Sequence, residues 1–195
     1  MRFVKQLLVF LSFVACQQST EAPEQNVPTF TIHADSLELR PNEGLVYYQN
    51  QPFSGTSITY YPSGTKASSI AYVKGKKHGK YRKWFEEGIK SFEANYVNAK
   101  RNGAAFTWWR NGNMRSSSNY KEGVVHGIQE EWYVHGTKFK RLQLLDGKEE
   151  GLQQSWRENG KLYSNYEAKN GRIFGLKRAK LCYDLDNEIV QYSNQ

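Results

Sequence analysis

The four histidines are the residues of this chain best suited to binding a metal or moving a proton. They are His33, His78, His126 and His135. His78 and His126 lie 48 residues apart, which is twice a 24-residue spacing that recurs through the chain. If each 24-residue unit supplies two strands, these two side chains stand roughly 19 Å apart. Zinc ligands lie ~2.0–2.1 Å from one metal, so we interpret both histidines as turn residues and predict no metal site.

Paired carboxylates are the usual arrangement for glycoside hydrolysis. Glu86 and Glu158 occupy equivalent positions three units apart, roughly 29 Å in a sheet, whereas catalytic carboxyl pairs lie ~5–9.5 Å apart. Glu130 and Glu131 are adjacent, so within a strand they point to opposite faces. The chain has no Ser–His–Asp order, no Gly-x-Ser-x-Gly elbow and no phosphate-binding loop. We therefore predict a non-catalytic protein that holds no cofactor.

Glycine spacing indicates that the chain is built from a repeat. Two glycine series and two aromatic series all advance by 24 residues. The first glycine series is Gly55, Gly79, Gly103, Gly127, Gly151 and Gly175, and the second is Gly64, Gly88, Gly112, Gly136 and Gly160. The aromatic series are Tyr60, Trp84, Trp108, Trp132 and Trp156, and Tyr48, Tyr72, Tyr96, Tyr120 and Tyr192, the latter with Leu144 and Ala168 in two units. Helical periodicity is absent, so we predict an all-β fold: an elongated single-layer antiparallel sheet of repeated β-hairpins.

The second glycine series predicts the hairpin turns. Dipeptides such as Glu87-Gly88 and Asn111-Gly112 are typical of two-residue type I′ turns, in which both residues have positive φ. A turn at Glu87-Gly88 places Gly79 opposite Tyr96, and stacking of the next hairpin without shear places Tyr96 opposite Gly103 as well. Each tyrosine ring then covers bare backbone, while the tryptophans lie on the other face.

Two repeated side-chain series are candidates for a binding surface. The tryptophans offer ring surfaces to a sugar, a lipid or a peptide, and three lysines at one repeat position form a ladder. The candidates are Trp84, Trp108, Trp132, Trp156, Lys66, Lys90 and Lys138. The alternative interpretation is structural, with the rings stabilising a one-layer sheet and the lysines forming a solvated face.

The N-terminus resembles a bacterial lipoprotein signal. Arg2 and Lys5 precede a short apolar stretch, and Phe13-Val14-Ala15-Cys16 resembles the lipobox, in which the cysteine is acylated. We assign residues 1–15 to the signal peptide, residues 16–42 to the lipidated Cys16 and a flexible tether, and residues 43–195 to the repeat domain. By resemblance to Gram-negative lipoproteins, Gln17 favours the outer membrane, so we expect a lipid-anchored protein of the bacterial cell envelope.

Net charge and cysteine content indicate little about the function of the chain. The formal net charge is +8, but positive and negative residues are interspersed, which is typical of ordinary solubility and predicts no nucleic-acid partner. If Cys16 is acylated, Cys182 has no cysteine partner within the chain.

The motif PFSGTSITYYPSGTKASSIAYVKGKKHGKYRKWFEEG resembles the MORN-variant repeats of proteins labelled YwqK-family antitoxins. The likeness covers roughly residues 44–175, and the segment after Gly175 resembles a degenerate repeat that caps the sheet. We expect an envelope lipoprotein that presents its repeat surface to an unidentified protein partner for binding or scaffolding. Two alternatives are an antitoxin-like protein that neutralises a partner toxin and a binder of anionic lipid or glycan surfaces.

Overall fold

A computed structural model describes residues 30–176, so Cys16 and Cys182 lie outside the described residues. These residues form strands and one short 3₁₀-helix, Ala34–Ser36. The strands are β1 Thr31–His33, β2 Glu38–Arg40, β3 Leu45–Tyr48, β4 Gln51–Pro52, β5 Gly55–Tyr60, β6 Lys66–Val73, β7 Lys76–Trp84, β8 Lys90–Val97, β9 Lys100–Trp108, β10 Met114–Lys121, β11 Val124–Val125, β12 Gly127–Trp132, β13 Lys138–Leu145, β14 Lys148–Glu149, β15 Gly151–Trp156, β16 Leu162–Lys169 and β17 Arg172–Leu176. No helix within residues 30–176 has the length and hydropathy of a membrane span.

The strands confirm the predicted all-β fold. One long sheet of 14 strands runs from β1 to β17, and from β5 onward all its pairings are antiparallel. They join consecutive strands, and β10 also pairs with β12 and β13 with β15. β2, β3 and β4 form a separate three-stranded sheet. The only parallel pair among the described strands is β1 with β5, in which Ile32 lies opposite Ser57. The repeat therefore produces a ladder of hairpins whose contacts are mainly between sequence neighbours.

Two short strands lie in the segment that the sequence analysis assigned to the tether. β1 and β2 both precede residue 43. The cause is local packing: the Phe30 ring lies 5.7 Å from the Tyr48 ring and 6.2 Å from the Phe53 ring. The Thr56 N–H also donates to the Phe30 carbonyl at 2.8 Å, which continues the parallel pairing.

The predicted type I′ turns lie at the other connection of each repeat. At Glu87-Gly88 only the glycine has positive φ, and the Phe85 N–H donates to the Ile89 carbonyl, which makes a three-residue loop. Both central residues have positive φ in the turns that join one repeat to the next. These type I′ turns are Lys74-Gly75, Asn98-Ala99, Glu122-Gly123, Asp146-Gly147 and Asn170-Gly171. The prediction was wrong because a glycine in second place is common to both kinds of turn.

Of the two strand pairings predicted for Tyr96, one is correct and one is wrong. Gly79 lies opposite Tyr96, because a register shift between Lys83 and Trp84 offsets the extra residue of the loop. On its other side Tyr96 faces Arg101 rather than Gly103. The register shifts between Ala94 and Tyr96, where Gly103 takes a φ of 82°. The tyrosine therefore has an arginine on one side instead of a second bare glycine.

The two faces of the sheet differ in burial. We call the side that carries Tyr81, Tyr96 and Tyr120 the tyrosine face, and the opposite side, which carries the tryptophan series, the tryptophan face. Ala94, Tyr96 and Ala105 form a buried cluster, and Tyr81, Phe92 and Tyr120 pack against it. The core of this one-layer sheet therefore lies on the tyrosine face, where rings and small side chains cover one another.

Buried glutamines replace part of the backbone ladder in two later repeats. Gln153 is fully buried, and its side-chain amide donates to the Gln143 carbonyl at 2.7 Å and accepts from the Gln143 N–H at 3.2 Å. Gln129 contacts the Asn119 N–H and carbonyl in the same way. The pairing of β13 with β15 covers only two residues, so these amides supply hydrogen bonds that the strands do not make themselves.

Replacing Gln153 with alanine should destabilise the protein by about 1–3 kcal/mol, because the fully buried amide is lost, the Gln143 N–H loses its acceptor and the Gln143 carbonyl keeps only the Glu150 N–H at 3.0 Å. Chemical unfolding of the full chain measures the change. Gln154→Ala is the matched control, since this neighbour lies on the opposite face and bonds a side chain, Asn165, at 3.2 Å. Equal losses in both variants would show that the buried amide has no special role.

Candidate binding surface

The tryptophan and lysine candidates lie in one row on the tryptophan face, beside the three-residue loops. Strand pairing places Lys90 opposite Trp84 and Lys138 opposite Trp132. The remaining pairs put Lys66 opposite Tyr60 and Met114 opposite Trp108. The row reads Tyr60, Lys66, Trp84, Lys90, Trp108, Met114, Trp132, Lys138, Trp156 and Leu162. The structure thus brings all seven candidates together, with Cys16 outside the described residues.

Each lysine in this row approaches the tryptophan of the next repeat. The Nζ atom lies 5.5 Å from the ring centre for Lys66 and Trp84, 5.1 Å for Lys90 and Trp108, and 5.8 Å for Lys138 and Trp156. These distances fall within the ~6 Å range of cation–π attraction. Met114 takes the lysine position in the repeat before Trp132, which makes the centre of the row more apolar.

Aromatic residues that follow the tryptophans tie the repeats together. The Tyr61 hydroxyl donates to the Trp84 carbonyl at 2.8 Å, and the Tyr133 hydroxyl donates to the Trp156 carbonyl at 3.1 Å. The Trp109 indole N–H donates to the Trp132 carbonyl at 3.1 Å. The sequence analysis missed this position, although an aromatic residue at the same phase in four repeats was a usable signal.

A second row on the tryptophan face carries ion pairs. Across β7 to β13 the directly opposed residues are Arg82, Glu93, Phe106, Ser117, Glu130 and Arg141. Glu93 pairs with Arg82 at 3.0 Å and with Lys90 at 2.9 Å. Glu130 pairs with Lys138 at 2.8 Å and lies 3.9 Å from Arg141. The sequence analysis missed these groups because their charges do not recur at a repeat position.

Phe106 lies between the two ion-pair groups and packs against the tryptophan row. Its ring centre lies 6.0 Å from that of Trp108. Phe106, Trp108, Met114 and Trp132 are all partly exposed. An apolar centre flanked by charged groups therefore occupies the middle of the tryptophan face.

Glu93 is the titratable group most clearly affected by this arrangement. Burial by itself raises the pKa of the Glu93 carboxyl, but hydrogen bonds from Lys90 and Arg82, together with their positive charges, outweigh it. The pKa of Glu93 is therefore lower than its ordinary value of 4.5. The carboxylate stays ionised at neutral pH and holds both cations on this face.

The histidines and carboxylates do not converge in the described residues. His126 Nδ1 lies 3.2 Å from an oxygen of Asp146, and His135 Nδ1 lies 3.5 Å from Glu158. His78 belongs to β7, two repeats from His126. Within residues 30–176 no group of three or more His, Cys, Asp or Glu side chains is placed to hold a metal ion.

Three segments of the chain match the family model described as a MORN repeat variant: residues 77–98, 101–122 and 149–170. These three segments are similar to MORN-variant repeats. The matched segments cover the hairpins of β7 with β8, β9 with β10, and β15 with β16. β12 and β13 form the same kind of hairpin between the second and third matched segments. No curated protein matches the chain.

Replacing Glu93 with glutamine should remove an acid-sensitive part of the stability. Because the folded-state pKa is lowered, ionised Glu93 stabilises the fold above its unfolded pKa, and this contribution disappears as the pH falls through the folded-state pKa. The difference in unfolding free energy between wild type and Glu93→Gln should therefore shrink as the pH falls from neutral through the lowered pKa of Glu93.

Denaturant titrations of both proteins across this pH range measure the difference. Glu131→Gln is the control, because Glu131 lies on the tyrosine face and makes no ion pair with another described residue. A difference for Glu93→Gln that does not change with pH would contradict the assignment.

Proposed function

We propose that this chain is a non-catalytic lipoprotein of the cell envelope that binds a protein partner through the tryptophan face of its repeat sheet. One observation carries the proposal: rings and ion pairs lie in two continuous rows on one face, while titratable groups are dispersed rather than gathered around a cavity. Such a surface suits an extended contact and offers no place for a reacting group.

The composition of the middle of the face favours a protein partner. Protein interfaces are enriched in Trp, Tyr, Phe, Met and Arg, and their strongest contacts combine a ring-rich centre with a polar rim. Phe106, Trp108, Met114 and Trp132 supply the centre. Charged residues on both sides supply the rim: Arg82, Lys90, Glu93, Glu130, Lys138 and Arg141.

The proposal also includes the location of the protein in the cell. Acylation of Cys16 attaches the chain to the outer membrane, and residues 17–29 then connect the lipid to the first strand. Thirteen residues span at most ~45 Å when extended, which is enough to hold the sheet clear of lipid headgroups. The repeat face is then presented to other envelope proteins.

Photocrosslinking in the native envelope tests the partner. Ser117 lies opposite Phe106 on the tryptophan face, and its neighbour Ser118 points to the tyrosine face. A photoreactive residue at position 117 of the full chain should give one reproducible protein adduct, which Trp108→Ser removes. The same residue at position 118 is the matched control.

The outcomes separate the candidate functions. Equal adducts from positions 117 and 118, or no reproducible protein adduct from 117, would overturn the proposal. Adducts to lipid or glycan instead of protein would favour the alternative function of surface binding.

Metabolic labelling with an alkynyl fatty acid tests the anchor. Cys16→Ser should abolish labelling and release the protein from the membrane fraction, because two or three acyl chains are needed for stable anchoring. Cys182→Ser is the matched control and should leave labelling unchanged. Persistent labelling of Cys16→Ser would contradict the proposed lipidation.

A further inference from the structure

The tips of the five type I′ turns that join successive repeats of the long sheet form a second surface at the opposite end of the strands from the tryptophan row. The two residues that flank each turn lie opposite each other and, by alternation, on the tryptophan face. These pairs, which we call the tip strip, are Val73 with Lys76, Val97 with Lys100, Lys121 with Val124, Leu145 with Lys148, and Lys169 with Arg172. Every tip carries a cation, and four of the five also carry an aliphatic side chain.

The aliphatic members are unusually exposed. Val97 is 41% exposed, Val124 is 46% exposed and Leu145 is 52% exposed. Exposed apolar side chains that are grouped rather than scattered mark interaction sites. None of the cations of the tip strip forms an ion pair with another described residue. The strip is therefore amphipathic and free to bind.

Backbone contacts hold the tips at a fixed spacing. The N–H of the second turn residue donates to the preceding repeat: Ala99 to the Lys77 carbonyl, Gly123 to the Arg101 carbonyl, and Gly147 to the Val125 carbonyl, at 2.8–2.9 Å. The tips also touch, since a Cβ at Gly147 would lie 3.2 Å from a Val124 methyl carbon. A rigid strip loses little conformational entropy when a ligand binds.

The spacing between neighbouring tips favours one backbone conformation of the ligand. Neighbouring tips are two strands apart, or roughly 9.6 Å. A polyproline II helix repeats every three residues over ~9.3 Å, so it presents the same side to each tip. A β-strand presents the same side every ~6.6 Å, so it matches only every second tip.

We propose that the tip strip binds a polyproline II segment of a partner protein in which a carboxylate recurs at every third residue, with aliphatic side chains between. This inference rests on the proposed function and specifies the chemistry of the partner. The carboxylates pair with the lysines, and the aliphatic residues cover Val97, Val124 and Leu145. A depression between two tips, lined by Val97, Asn98, Lys100, Asn102 and Glu122, receives one ligand side chain.

Two acidic residues in the turns modulate this attraction. The Asp146 carboxylate already contacts His126 Nδ1 at 3.2 Å. Glu122 lines the depression without an ion pair to another described residue, so it repels an acidic ligand. Removing its charge should strengthen binding.

Fluorescence anisotropy with the purified full chain tests the proposal. The probe is a labelled peptide of repeated Glu-Val-Pro triplets, and the control peptide has the same composition in scrambled order. The periodic peptide should bind at least about tenfold more tightly than the scrambled one, with an affinity that falls as salt rises. Equal affinities would overturn the inference, because they would indicate unspecific charge attraction.

Charge variants locate the contact. Lys100→Glu should weaken binding of the periodic peptide by about tenfold, whereas Glu122→Gln should strengthen it. Lys140→Glu is the matched control, since Lys140 lies on the tyrosine face and should leave the affinity unchanged. Circular dichroism confirms that each variant is folded. An equal loss in Lys140→Glu, or binding of anionic vesicles with none of the peptide, would refute the tip strip.

The photocrosslinking experiment distinguishes failure of this inference from failure of the proposed function. A protein adduct from position 117 together with no peptide binding would overturn the tip strip alone. Loss of the adduct would overturn the proposed function itself.

Discussion

Left-handed backbone at three points in each repeat, including strand glycines such as Gly103, is the constraint on which the rest of the structure depends. The three-residue loops need it at one glycine, such as Gly88, and the type I′ turns need it at two consecutive residues. L-residues with a Cβ adopt this region at a cost, and glycine does not. The recurrence of glycine every 24 residues therefore sets the length of every hairpin and the register between repeats. A Cβ at Gly75 would lie 2.9 Å from the Val46 carbonyl oxygen of β3, and a Cβ at Gly147 would lie 3.2 Å from a Val124 methyl carbon of the preceding tip.

A fixed register makes the two faces of the sheet chemically different. On the tyrosine face, small residues such as Ala94 and Ala105 leave room for rings to lie over the sheet, and Tyr96 becomes buried without a second layer. On the tryptophan face, lysines approach the rings and glutamates pair with arginines, so the side chains are ordered but remain partly exposed. A one-layer sheet can thus have its core on one side and keep the other side available for binding.

The arrangement of charge follows from the repeat. Reaction centres gather titratable groups around one point, whereas the repeat places equivalent groups two strands apart. The irregular residues then determine where contacts occur. Met114 interrupts the lysine series, and Phe106 interrupts the ion pairs, so the middle of the tryptophan face is apolar. The type I′ tips add an amphipathic strip at the other end of the same strands.

The repeat and the all-β class could be predicted from the sequence alone, because glycine spacing and side-chain alternation are local properties. The opposition of Gly79 and Tyr96 was predicted from a two-residue turn, and it holds because the bulge between Lys83 and Trp84 offsets the third residue of the loop. The sequence also identified the tryptophan and lysine series. It did not reveal that each lysine covers the ring of the following repeat, that Arg101 meets Tyr96, or that Glu93 holds two cations. These contacts join strands across bulges, and a shift of one or two residues there changes which side chains meet. Only the tertiary structure determines those shifts, because they arise from packing between hairpins rather than from any one turn.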